Sequence, residues 1–210
     1  MIKAIFFDMD GVLIDAKEWH YEALNKALAH FGININLYEH LSTYDGLPTK
    51  KKLQMLNLTK GLSPKLFDFL NDLKQIYTMQ IVHSSCKPNF IHEYALSKLK
   101  NEGYKMAVCS NSIKNTVDVM MQKAALENYL DFKISNEDVT KAKPDPQMYL
   151  LAMQKLNLKP HECMICEDNE NGIKAAKASG ANVMIIDTPS DVNYENIKKH
   201  INLFEKRKSK

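Results

Sequence analysis

Residues 4–7, Ala-Ile-Phe-Phe, constrain the fold of this 210-residue chain more than any other stretch. The run is short, apolar and rich in β-formers, which suits a strand covered on both faces of a parallel sheet. It stops at two carboxylates one residue apart, Asp8 and Asp10, and then at Gly11. In an open parallel sheet, ligands bind outside the carboxyl ends of the strands. Ionised acids beside a buried strand are costly unless a cation or a donor meets them. Mg²⁺, which favours a few carboxylate oxygens together with water and phosphate, would supply that cation.

The pattern then changes. Trp19, Ala23, Leu24, Ala27, Leu28 and Phe31 recur at helical spacing, and Gly32 is placed to end the helix. Residues 44–48 read as a loop before a short helix over 49–58. A third helix is expected after Ser63 as cap and Pro64 at the first position. Leu66, Phe69, Leu70, Leu73, Ile76 and Tyr77 would form its apolar face. No strand is expected between 15 and 81. Past Pro88, strands at 104–109, 132–134, 163–166 and 183–186 alternate with helices. This predicts an α/β fold, a doubly wound, mostly parallel sheet with a small helical second domain. The expected boundaries are 1–14 with 85–210 for the α/β core and 15–84 for the helical domain.

Bulk properties narrow the function classes. The net charge is +3, and the last six positions carry four basic residues and one acid, so the body is close to neutral. Such a tail reads as a solvated end, which argues against nucleic-acid or membrane partners. No segment is apolar enough to span a bilayer, and Asp8 interrupts the first apolar run, against a signal peptide. Cys86, Cys109, Cys163 and Cys166 fit a reduced, cytoplasmic protein. Cys163 and Cys166 make a C-x-x-C, but on a strand those positions point to opposite faces, which favours buried thiols over zinc or redox use. A monomer is expected.

Three expected strands end in polar residues that their local sequence does not require: Asp8/Asp10, Ser110/Asn111 and Glu167/Asp168. In a parallel sheet these ends share one edge, and Lys143 arrives there from a loop that Pro144 follows. Carboxylates hold a divalent cation; a hydroxyl, backbone N–H groups and an ammonium hold a phosphate; one carboxylate remains to attack phosphorus. Each piece alone has a plainer reading. Asp10-Gly11 is a common turn, Ser110 a helix cap, Glu167/Asp168 a favourable helix start, and Lys143 a surface lysine. Their coincidence at successive strand ends is what the plainer readings leave unexplained.

The sequence resembles the haloacid dehalogenase-like superfamily of phosphohydrolases and phosphomutases over nearly its whole length. Phe7-Asp8-Met9-Asp10-Gly11-Val12 is similar to the nucleophile motif and Cys109-Ser110-Asn111-Ser112 to the second. Lys143-Pro144-Asp145-Pro146 is similar to the third, and 167–173, Glu-Asp-Asn-Glu-Asn-Gly-Ile, to the fourth. The resemblance implies that Asp8 attacks phosphorus and that Asp10 serves as acid and then as base. It implies Mg²⁺ on Asp8, the Asp10 carbonyl and Asp168, with Glu167 in or near the shell. Ser110, Asn111 and Lys143 would hold the phosphate. The helical insertion resembles the cap of the family's first subclass, which would close over the substrate.

His20, Asp45 and Gly46 of that cap are candidate substrate contacts by the same resemblance. The subclass's β-phosphoglucomutases place a lysine near position 45 and an arginine near position 49, where this chain has Asp45 and Thr49; Ala16 replaces a threonine or serine. These departures favour a phosphatase acting on a phosphorylated small metabolite such as a sugar phosphate. A phosphoglucomutase-like mutase is the first alternative, and a phosphate-sensing or partner-binding module without turnover is the second.

Overall fold

The computed structural model describes residues 1–208. Five strands form one sheet: β1 (Ala4–Phe7), β2 (Lys105–Cys109), β3 (Phe132–Ile134), β4 (Cys163–Glu167) and β5 (Asn182–Ile185). Their order is β3-β2-β1-β4-β5, and every pairing is parallel. β1 is the central strand and all four of its residues are buried, which accounts for an unbroken apolar run. The order runs outward from β1 in both directions, so the topological switch point lies beside it. Register does the rest. Phe7 is level with Val108 and Cys166, so the residues that follow β1, β2 and β4 emerge on one edge.

The chain divides into two compact units, Met1–Asp15 with Lys87–Lys210, and Ala16–Cys86. The second unit is helical: α1 (Lys17–Ala29), the single turn α2 (Leu37–Glu39), α3 (Thr49–Lys60) and α4 (Phe67–Ser85). Leu24, Leu28, Ile35, Tyr44, Leu53, Leu56 and Leu70 form its core. α4 departs from the sequence expectation. Pro64–Leu66 make a separate 3-10 turn, and the Ser63 side chain makes no cap bond. Phe69 and Ile76 are exposed, whereas Lys74 and Thr78 join Leu70, Ile81 and Val82 in the buried stripe. The polar members are accommodated by hydrogen bonds. Lys74 Nζ donates to His20 Nδ1 at 3.2 Å, and Thr78 donates to the Lys74 carbonyl at 2.9 Å. Phe31, expected on the apolar face of α1, is likewise exposed and meets Phe69 edge to face.

The sheet unit is completed by α5 (Phe90–Asn101), α6 (Lys114–Lys123), α7 (Gln147–Leu156), α8 (Glu170–Ala178) and α9 (Tyr194–Lys208). On one side of the sheet, Phe6, Ala107 and Ile165 pack with Tyr149, Ala152 and Met153 of α7 and with Ala175 and Ala176 of α8. Those small residues let α8 approach the strands closely. All four cysteines are free and buried. No described helix is long and apolar enough to cross a membrane. Of the basic tail, Lys210 lies outside the described residues.

Phe6 is fully buried at the middle of the sheet. Phe6→Ala is expected to destabilise the protein by about 3–5 kcal/mol, through lost transfer energy and the cavity left behind. Urea unfolding followed by circular dichroism measures this.

Candidate active site

The chain leaves β1 through a tight turn. Gly11 adopts φ 87°, a conformation that side chains resist, and its N–H reaches the Ile14 carbonyl at 2.7 Å. The Met9 carbonyl takes the N–H groups of Leu13 and Ile14 at 3.0 and 2.9 Å. Asp8 precedes this turn, and its N–H bonds the Cys166 carbonyl of β4 at 3.0 Å. The nucleophile candidate is therefore tied to two strands before its side chain makes any contact.

Lys143 is the hub. Its ammonium donates to Asp8 Oδ1 at 2.9 Å, to Glu167 Oε1 at 2.6 Å and to the Cys109 carbonyl at 2.7 Å. All three of its protons are used. Asn111, just past β2, fixes the loop that delivers it: the Lys143 N–H donates to Asn111 Oδ1 at 3.0 Å, and Asn111 Nδ2 donates to the Lys143 carbonyl at 3.3 Å. The Asn111 side chain thereby helps to position Lys143. The Lys143–Pro144 peptide bond is cis.

Asp8, Glu167 and Asp168 bring one carboxylate oxygen each within 4.8 Å of one another. Asp10, expected to offer its backbone carbonyl rather than its side chain, has Asp10 Oδ2 accepting from the Ser112 hydroxyl at 3.0 Å. Ser110 is buried, and its Oγ accepts the Ser112 N–H at 3.1 Å, which leaves its own proton to donate. Glu167 is the most enclosed of the acids, with no exposed surface. Its Oε2 accepts the Asp168 N–H at 3.2 Å. Gly172, in the first turn of α8, gives the carboxylate its room: a Cβ there would fall 1.9 Å from Oε1 and 2.1 Å from Oε2.

Electrostatics argue for a cation. Burial, then the charges of Glu167, Asp168 and Asp10, hold the Asp8 carboxyl well above its ordinary range although Lys143 pulls it down. Burial alone would lower Lys143, but Asp8 and Glu167 outweigh it and keep the ammonium charged. Burial also pushes the neighbouring Cys109 thiol up to about 12, so it stays protonated and inert. A divalent ion on the three carboxylates would favour the ionised Asp8 that a nucleophile needs. Crowded oxygen donors of this kind fit Mg²⁺.

The helical unit gathers a different set. His20, His40, Lys52 and Lys74 are all buried there. His40 has no exposed surface, and neither ring nitrogen meets a hydrogen-bond partner among the described residues; Asp45 Oδ1 lies 4.0 Å from its Nε2. Burial, then the charges of Lys52, His20 and Lys74, lower its pKa to about 3, so the ring is neutral. Gly46 follows with φ 70°.

Comparison with known proteins identifies the family. A family model for haloacid dehalogenase-like hydrolases matches residues 5–186. The chain belongs to the haloacid dehalogenase-like hydrolases. A phosphorylated carbohydrates phosphatase of Thermotoga maritima is 26% identical, over 85% of this hydrolase and 82% of the relative. A phosphoglycolate phosphatase of Nitrosospira multiformis is 27% identical, over 88% and 83%. Among solved structures, a β-phosphoglucomutase from Clostridium difficile superposes with a TM-score of 0.85 at 22% identity, covering 98% of this chain and 99% of that one. Rhodobacter sphaeroides CbbY with xylulose-(1,5)bisphosphate gives 0.79 at 22% identity, over 88% and 86%. At this identity, the likeness to the solved structures is one of fold.

Three residues that touch this group of acids, Tyr149, Gly172 and Ser112, have no role in the sequence reading, although Gly172 and Ser112 lie within two of its motifs. Tyr149 reads as one more apolar residue on the face of α7, yet a buried tyrosine needs a partner for its hydroxyl, and that requirement is the signal. A glycine inside a helix is destabilising by roughly 0.5–1 kcal/mol relative to alanine, which marks Gly172 as a site of close approach. Gly172→Ala is expected to displace the Glu167 carboxylate and cost about 1–3 kcal/mol, a fall in melting temperature of about 3–10 °C by scanning calorimetry.

Proposed function

We propose that this hydrolase is a Mg²⁺-dependent phosphatase that cleaves phosphomonoesters of small metabolites, sugar phosphates foremost, through a phosphorylated Asp8. The observation that carries the reading is the convergence of Asp8, Glu167, Asp168 and Lys143, from two strand ends and a loop, on one small volume. The names of the relatives, phosphatases of phosphorylated carbohydrates and of phosphoglycolate, support the substrate class.

In the first step, an Asp8 carboxylate oxygen attacks phosphorus and the bond to the leaving oxygen breaks. Asp10 donates a proton to that oxygen, and the hydrogen bond from Ser112 keeps its side chain oriented. Phosphorylation removes the negative charge of Asp8, so the Lys143 N–H that now bonds Asp8 is released to a phosphoryl oxygen. Ser110 donates to the same group. In the second step, Asp10 takes a proton from water as that water attacks phosphorus, and the Asp8–phosphorus bond breaks to give inorganic phosphate. Asp8, Asp168 and Glu167, with the Asp10 carbonyl, would hold Mg²⁺, which would offset negative charge and orient the phosphoryl oxygens. A monomer with a small phosphorylated substrate suffices for this chemistry, without nucleic acid or membrane. The four free thiols suit a cytoplasmic setting.

A mutase is the second reading. It is favoured by one observation, the buried lysines Lys52 and Lys74 of the helical unit, which suit a second phosphate although positions 45 and 49 lack cations. Release of inorganic phosphate from glucose phosphates, against their isomerisation, separates the two.

Hydrolysis of an aryl phosphate is expected to require Mg²⁺, to stop with chelator and to return when the metal is restored. Asp8→Asn is expected to lower turnover by about 10³-fold or more with the circular dichroism spectrum unchanged. A fully active Asp8→Asn protein would overturn the nucleophile. Asp10→Asn is expected to cost about 10²–10⁴-fold on alkyl phosphates and less on aryl phosphates, whose leaving groups need little protonation. Steady-state rates on the two substrate classes test that difference.

A further inference from the structure

Tyr149 stands inside this site and has no part in the steps above. It is fully buried, among Phe6, Ile165, Ala152 and Met153, where a phenylalanine would fill the same space. Its hydroxyl, however, donates to Glu167 Oε1 at 2.5 Å, the oxygen that also receives Lys143 at 2.6 Å. The face of its ring lies 5.0 Å from the Lys143 ammonium. The other Glu167 oxygen accepts the Asp168 N–H, and the bare Gly172 walls the carboxylate. The terminal torsion of a glutamate is broad and roughly two-fold, so a fixed plane has to be imposed from outside.

We propose that Tyr149 is a positioning residue whose hydroxyl divides the labour of Glu167, holding Oε1 toward Lys143 and leaving Oε2 for the divalent cation. The proposal rests on the phosphatase reading. Without the hydroxyl, Oε1 keeps one side-chain donor in place of two and the carboxylate can turn. Both the cation and the lysine then lose a fixed partner. Loss of a group that orients a metal ligand typically lowers metal affinity or activity by about 10–100-fold.

Tyr149→Phe tests this because it keeps the ring, its packing and its contact with the ammonium. Mn²⁺ affinity is read by electron paramagnetic resonance on wild type, Tyr149→Phe and Asp168→Asn. The melting temperature of each is taken in chelator, and kcat and KM for an aryl phosphate in saturating Mg²⁺. The expected result is a Tyr149→Phe protein that folds without metal, binds Mn²⁺ about 10-fold or more weakly, and loses kcat with KM within about twofold of wild type. Wild-type Mn²⁺ affinity in Tyr149→Phe, while Asp168→Asn has lost it, would overturn the proposal alone. A Tyr149→Phe protein that does not fold would overturn it too, since the hydroxyl would then be structural. Wild type that binds no Mn²⁺, or binds it equally well without Asp168, would remove the phosphatase reading and this proposal together.

Discussion

One ammonium holds this site together. Lys143 sits against two buried carboxylates and a strand carbonyl, with a third carboxylate, Asp168, close beside them. Buried charges persist only when paired and hydrogen-bonded, and removing one member of such a group typically costs about 3–5 kcal/mol. The arrangement is therefore a structural necessity before it is a chemical one. Lys143 pulls the Asp8 carboxyl toward its charged form, and it offsets the cost of enclosing Glu167. Burial, together with the crowding of acids, still exceeds what one lysine offsets at Asp8, where the carboxyl remains raised. That residual imbalance makes the site suited to a divalent cation and to the charge that a transferring phosphoryl group develops.

The sheet supplies what the ammonium requires. Parallel pairing in register sets the ends of β1, β2 and β4 level, so Asp8, the Cys109 carbonyl and Glu167 reach Lys143 without any long, mobile side chain bridging a gap. Only Lys143 comes from a loop, and Asn111 grips the backbone of that loop at both its N–H and its carbonyl. Groups supported on strand ends and backed by further hydrogen bonds are held more closely than groups on unsupported loops.

Much of this was legible in the sequence, for definite reasons. The apolar run at 4–7 announced a covered strand, and the polar residues after 7, 109 and 166 were conspicuous because nothing local called for them. The membership of the buried group around Asp8, Lys143 and Glu167 followed from their placement on one edge. What escaped was the set of contacts that depends on side-chain detail. Periodicity counts Tyr149 as apolar and is blind to its hydroxyl. It also assigned Phe69 and Ile76 to the inward face of α4, where Lys74 and Thr78 lie instead. The neighbours of Asn111 put it beside a phosphate, but nothing in the spacing announced that both ends of its amide answer to a backbone 32 positions away. Pairings of this kind are set by tertiary packing and leave no spacing to count.

The central place of β1 also bears on how the molecule comes into being. Its neighbours in the sheet begin at Lys105 and Cys163, far along the chain. At the roughly 5–20 residues per second of ribosomal synthesis, the first strand waits on the order of ten seconds for its second partner. Through that interval an adhesive hydrophobic ribbon stays uncovered on the nascent polypeptide, and such pairings between distant segments form slowly. The helical insertion, a compact unit over residues 16–86, is synthesised within that wait, before the sheet can close.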